Sequence, residues 1–138
     1  MEREEFIREV QLNVLRNHAL RLSEAEAASA IEATLEMVGQ QLTPAATRSL
    51  AEKLPAGVAE LVEGQEMDQS LTPDSFLESV ANRESVDLTV ATYYVRAVLA
   101  TLGQLLSAQE LDNLRKQFPA ELQSFLTRGS DDEVEAAL

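Results

Sequence analysis

Apolar residues recur along most of the chain at alternating spacings of three and four, the mark of helices that bury one face. The first predicted helix starts within the opening residues and runs to about His18 or Leu20, with Phe6, Ile7, Val10 and Val14 on one face and Leu12 and Leu15 as a second, weaker stripe. Ser23 and Glu26 have the spacing of a capping box. They open a second helix that reaches about Leu42 with Ala28, Ile31, Leu35, Val38 and Leu42 inward. Thr43 and Pro44 offer an N-cap and a first-turn proline to a third helix carrying Leu50 and Leu54. Pro55 ends that helix and pre-sets the first turn of a short fourth, with Val58, Leu61 and Val62 inward and Gly64 as its stop. Residues 65–71 are polar and aperiodic. Thr72 and Pro73 then open a helix with Phe76, Leu77 and Val80, and Asp87 caps a long one with Thr92, Val95, Leu99, Leu102 and Leu106 on its stripe. Ser107 and Glu110 form a second capping box, Pro119 separates the last two helices, and Gly129 ends the final one.

The second set of elements echoes the first. At a constant offset of 64 residues, Ala27 meets Ala91, Leu35 meets Leu99, Gly39 meets Gly103, Leu42 meets Leu106, Leu50 meets Leu114, Pro55 meets Pro119 and Ala56 meets Ala120. Alanine and leucine coincide easily in helices; a matched mid-helix glycine and a matched proline do not. The expected fold is therefore all-α: two similar four-helix units from an internal duplication, packed as one helical domain. The units span residues 1–64 and 72–129, joined by a linker at 65–71 and followed by an acidic tail at 130–138. Phe6, Ile7 and Val10 match Phe76, Leu77 and Val80 only at an offset of 70, which puts six extra residues of the first unit within 12–22. A unit this short buries little by itself, so the two long helices are expected to share a core. Gly39 and Gly103, with Pro55 and Pro119, are the candidate packing positions. A mid-helix glycine costs about 1 kcal/mol against alanine. The matched pair therefore marks either a close crossing of the two long helices or room for the third helix of each unit.

Composition narrows the function. The chain of 138 residues carries a net charge of −13, shared by 13 acids to 6 bases in residues 1–70 and 11 to 5 in 71–138. Nucleic acid and anionic membranes, both bound through Lys and Arg, are not expected partners. With no cysteine, disulfides, thiolate metal sites and a cysteine nucleophile are excluded. The charged opening residues lack the apolar core of a signal peptide, and the longest apolar run, near residues 95–106, is broken by Arg96 and too short to span a bilayer. The expected location is the cytoplasm.

The duplicated pattern resembles a bacterial family known as domain of unknown function 2267. The resemblance is carried by DSFLESVANRE (residues 74–84), by RAVLATLGQLLSAQELDNLRKQFPAELQSFL (residues 96–126) and, more loosely, by EKLPAGVAELV (residues 52–62). The six-residue expansion after the first helix departs from the family pattern. The resemblance implies a duplicated helical fold and brings no activity, cofactor or catalytic residue with it.

Candidate chemistry is sparse. His18, the one histidine, has Leu15 three residues before it, so the Glu-x-x-His pairs of two-metal helical bundles are missing. Phosphate-binding glycine loops and a nucleophile elbow are missing too. Glu32 and Glu36 lie one turn apart and offer an acid pair or weak cation site, although a solvated helix face is the simpler reading; the run Asp131, Asp132, Glu133 lacks the glycine and spacing of a calcium loop. No catalytic residue, metal or cofactor is assigned. Tyr93 and Tyr94 are adjacent and so point about 100° apart; one is expected to fill core volume and the other to meet a partner, with Arg96 as a nearby anchor. Tyr93, Tyr94 and Arg96 are therefore the candidate partner-binding residues. The expected function is a non-enzymatic interaction or regulatory module whose acidic surface binds a protein, or a second copy of itself. A small-molecule or lipid carrier with an apolar cleft between the halves is the alternative.

Overall fold

Most of the helices begin where the sequence supplies a side chain to hold their first free N–H groups. The computed structural model describes residues 1–68 and 70–127, and in them the helices are α1 (Arg3–His18), α2 (Glu24–Gln41), α3 (Pro44–Ala51), α4 (Ala59–Val62), α5 (Pro73–Glu84), α6 (Leu88–Leu105), α7 (Ala108–Arg115) and α8 (Ala120–Gln123). Ser23 Oγ accepts from the Glu26 amide at 3.0 Å while the Glu26 carboxylate accepts from the Ser23 amide at 2.9 Å. Ser107 and Glu110 repeat that box at 3.2 and 2.9 Å. Thr43, Thr72 and Asp87 cap α3, α5 and α6 in the same way. Each cap is worth about 1 kcal/mol. The predicted N-termini of the longer helices are thus in place, and the described residues contain no strand.

Apolar burial then brings the elements together. α2 and α6 pack on each other, and each is flanked by both α1 and α5; α4 folds back on α2 and α3 on α4. Phe6, Val10, Val14, Leu35, Val38, Phe76, Val80, Val95, Leu99 and Leu102 are fully buried. They belong to a single cluster drawn from both stretches of the chain. Complete burial of such a side chain contributes about 1.5–3 kcal/mol. A buried polar contact locks α1 to α6: Asn13 Nδ2 donates to Thr101 Oγ1 at 2.8 Å, and that hydroxyl donates to the Ala97 carbonyl at 2.8 Å.

Several expectations need correction. Neither reading of the glycines holds. A Cβ on Gly39 would lie 2.5 Å from the Val62 carbonyl oxygen and 2.7 Å from Gln65 Cγ, and one on Gly103 would run into the Thr127 carbonyl. Each glycine thus admits the backbone that leaves the following short helix, rather than the other long helix or the third helix of its unit. α3 ends at Ala51, not at Pro55: the Lys53 and Leu54 amides bond back to Leu50 and Ala51 at 2.9 and 3.2 Å, and the chain has already tightened into a turn. Pro55 accepts from the Val58 and Ala59 amides, both at 3.0 Å, so it starts a turn and α4 follows only at Ala59. Pro119 does separate α7 from α8, as the N-cap of α8, and accepts from the Leu122 and Gln123 amides at 3.0 and 3.2 Å. Leu12 and Leu15, the weaker stripe, are exposed. The polar stretch after α4 is pinned to α2, with Gln65 against Gly39 and the Asp68 amide donating to the Gln40 carbonyl at 2.8 Å. Gly129 and the residues 130–138 lie outside the described residues.

α1 and α5, whose apolar positions match at an offset of 70, differ in length. α1 is 16 residues long against 12 for α5. The connection that follows takes residues 19–23 after α1 but only 85–87 after α5. α1 is thus about one turn the longer, and its last turn carries His18 along α6.

Candidate functional site

Two neighbouring tyrosines on α6 take opposite roles because a helix turns by about 100° per residue. Tyr94 points inward and is 6% exposed. Burial raises its phenol above the usual pKa range, and the carboxylates of Glu26 and Glu84 add to the shift. Tyr94 is therefore a core residue, which corrects its placement among the partner-binding candidates. Tyr93 is half-buried and stacks on His18, with ring centroids 4.0 Å apart and planes at 15°. Arg96, one turn on, is exposed, and its guanidinium lies 4.4 Å above the ring of Phe125. Asn17, His18, Arg96, Ala100 and Phe125 share a depression of about 50 Å³. One aromatic pair and one cation–aromatic pair thus sit side by side where the end of α1, the first half of α6 and the segment after α8 converge. The sequence singled out Tyr93 and Arg96, and the structure brings both to this depression or its edge. His18 and Phe125 were not assigned to this surface, since their neighbours are remote in the chain and no local pattern reports the pairing.

The acid pair has a different use. Arg83 of α5 reaches across to α2 and pairs with both Glu36 and Glu32, the latter at 3.5 Å. Beside it Ser29 Oγ donates to Glu84 at 2.8 Å. The position read as a weak cation site is filled by a guanidinium that clips α5 to α2. These side chains remain largely solvated, so Arg83→Gln is expected to lower stability by at most about 1 kcal/mol, measured by urea unfolding. A loss well beyond that would mean that the network is shielded from water. Among the described residues, no group of three His, Asp or Glu is placed to hold a metal, and no helix is long and apolar enough to cross a membrane. Asp131, Asp132 and Glu133 lie outside the described residues.

A family model described as "Uncharacterized conserved protein (DUF2267)" matches residues 3–125. The chain belongs to this family. The match starts at the first residue of α1 and ends at Phe125, so it takes in all the helices of the described residues and the four side chains of the α6 surface. No curated protein matches the chain.

The family region contains one further opening of note. α3 and α7 stand on either side of an open groove of about 250 Å³, floored by Leu50, Leu106 and Leu114 and edged by Ser49, Asn113 and Gln117. Lys53 and Glu110 pair at 3.2 Å between the end of α3 and the start of α7. The Glu110 carboxyl is held below its usual pKa range, first by the backbone amide of Ser107 and then by Lys53.

Proposed function

We propose that the protein is a non-enzymatic interaction module, acting in the cytoplasm, which docks a protein partner on the α6 surface formed by His18, Tyr93, Arg96 and Phe125. The observation that carries this reading is the exposed Arg96 guanidinium stacked on Phe125 beside the His18–Tyr93 pair. Arginine and tyrosine dominate binding hot spots, because each covers much area with few degrees of freedom to freeze. Here both are already held by a ring, so less order is lost on binding. The net charge of −13 steers a partner of opposite overall sign, and Arg96 selects a carboxylate or aromatic group on it. The same reading takes the molecule as a duplicated pair of four-helix units. In support, α2 and α6 are both 18 residues long, α3 and α7 both 8, and each pair starts 64 residues apart.

The test is affinity capture from host lysate at low and high salt, with the wild type beside a Tyr93→Ala, Arg96→Glu variant. Partners held at low salt, released at high salt and lost by the variant are the expected result. Full retention by the variant would rule out this surface, and an empty wild-type capture would rule out the module. The carrier reading has less support: the groove between α3 and α7 is open to solvent and partly polar, whereas small-molecule sites enclose most of their ligand. A ligand co-purifying in native mass spectrometry would revive it.

A further inference from the structure

The surface around Arg96 is set apart by the charges its chain stretches leave out. Three stretches meet there: residues 10–22 with the end of α1, residues 88–109 with α6, and residues 122–127 from the end of α8. Together they hold Arg16, Arg21 and Arg96 and none of the chain's 24 acids. All three arginines are exposed. Arg16 lies one turn beyond Asn13, whose side chain bonds to α6. A patch of positive potential therefore stands on a molecule of net charge −13.

The same patch is where an acidic run of the chain begins its course. Arg115 Nε donates to the Leu126 carbonyl at 2.9 Å, and the Thr127 carbonyl lies against Gly103 with no room for a Cβ between them. Thr127 lines the depression that also holds His18, Arg96 and Phe125. Its position on the patch is thus fixed by two separate contacts. Asp131 follows four residues later, and an extended chain covers up to about 14 Å in that span. Arg96 is seven residues from Gly103 on α6, about 10 Å along the helix. Residues 131–135 bring Asp131, Asp132, Glu133 and Glu135, with Arg128 the one base after Thr127.

We propose that residues 130–138 cover the α6 surface of their own chain, with the carboxylates of residues 131–135 on Arg96 and its neighbours, and hold that surface closed until a partner displaces them. An acidic run is repelled by most of this molecule and attracted where acids are missing. Attachment at Thr127 sets an effective concentration on the order of millimolar, so weak pairing is enough to populate the cover. A second copy would have to bring its own charge of −13 against the first to deliver the same carboxylates. The regulatory half of the proposal rests on the α6 surface being the partner site. The cover itself does not, and its test needs no partner.

The chain has no cysteine, so Ala136→Cys in the full chain takes a single nitroxide label. The loss of NMR signal caused by that label is compared with the loss in the same chain carrying Asp131→Asn, Asp132→Asn, Glu133→Gln and Glu135→Gln. The expected result at low salt is broadening of the Asn17 and Tyr93 amides and of the Arg96 Nε–H. These signals should recover in the neutralised chain, in an Arg96→Gln variant, and in about 1 M salt, where the Debye length falls to about 3 Å. The spectrum of each variant also shows that it is folded. Broadening that is the same with the acids neutralised, or with Arg96→Gln, would overturn the proposal. So would broadening that passes to an unlabelled copy in a mixed sample, since the carboxylates would then lie on a second chain. Partner capture that is empty for every variant would sink the α6 docking reading and leave the cover standing; capture that rises in the neutralised chain is expected if both hold.

Discussion

Phe76→Ala is expected to lower the free energy of unfolding by about 3–5 kcal/mol, a large share of the roughly 5–15 kcal/mol that holds a domain of this size together. Phe76 is fully buried on α5. Its ring meets that of Phe118 with centroids 6.5 Å apart and planes at 50°, and so ties α5 to the turn between α7 and α8. The alanine variant loses the transfer energy of the ring and leaves a cavity that the helices can only partly close. Phe76→Leu should lose much less, about 1.5 kcal/mol or below, because most of the volume is kept. Urea unfolding followed by circular dichroism separates the two. A single transition shifted to lower urea is expected, since the buried residues form one cluster. Two transitions would show that the halves melt separately, and a loss under about 1 kcal/mol in the alanine variant would contradict burial.

The second large effect has a sign opposite to helix propensity. Alanine is a better helix former than glycine by about 1 kcal/mol, yet Gly103→Ala is expected to destabilise the protein by about 1–3 kcal/mol net. The new methyl would run into the Thr127 backbone carbonyl, and a backbone group cannot swing aside as a side-chain tip can. The segment after α8 must then lift from α6. Because Phe125 lies two residues before Thr127, that movement should also loosen the ring from Arg96. Thermal melting reads the stability, and the ring-current shift on the Arg96 side-chain protons reads the displacement. A variant that gains stability and keeps the shift would mean that Gly103 is there for some other reason than space.

The two glycines also show what kind of information a single sequence holds. Their matched positions announced a close backbone approach, and that approach exists. The approaching group could not be named, because a missing Cβ records that space is needed and not what fills it. The paired prolines behaved similarly. They mark turns in both stretches, but the ends of α3 and α4 depended on which carbonyls the turn amides reached. At the candidate site, Tyr93 and Arg96 stood out as an aromatic and a cation on an otherwise small and apolar helix. Tyr94 was separable from Tyr93 in direction but not in destination, and only the packing against α6 decided which tyrosine went inward.

What the sequence determined by itself was local: which residues start the longer helices, where the buried stripes run, and that the chain is all-helical with a strongly acidic surface. Caps and periodicities act within a turn or two, so the residues that carry them lie close together in the chain. Tertiary structure decided the rest. The Asn13–Thr101 bond spans 88 residues, Arg83 finds its two glutamates on another helix, and His18 meets Tyr93 only because the last turn of α1 carries it along α6. These pairings depend on how whole helices pack, and helix packing is settled by the summed burial of many side chains rather than by any one of them.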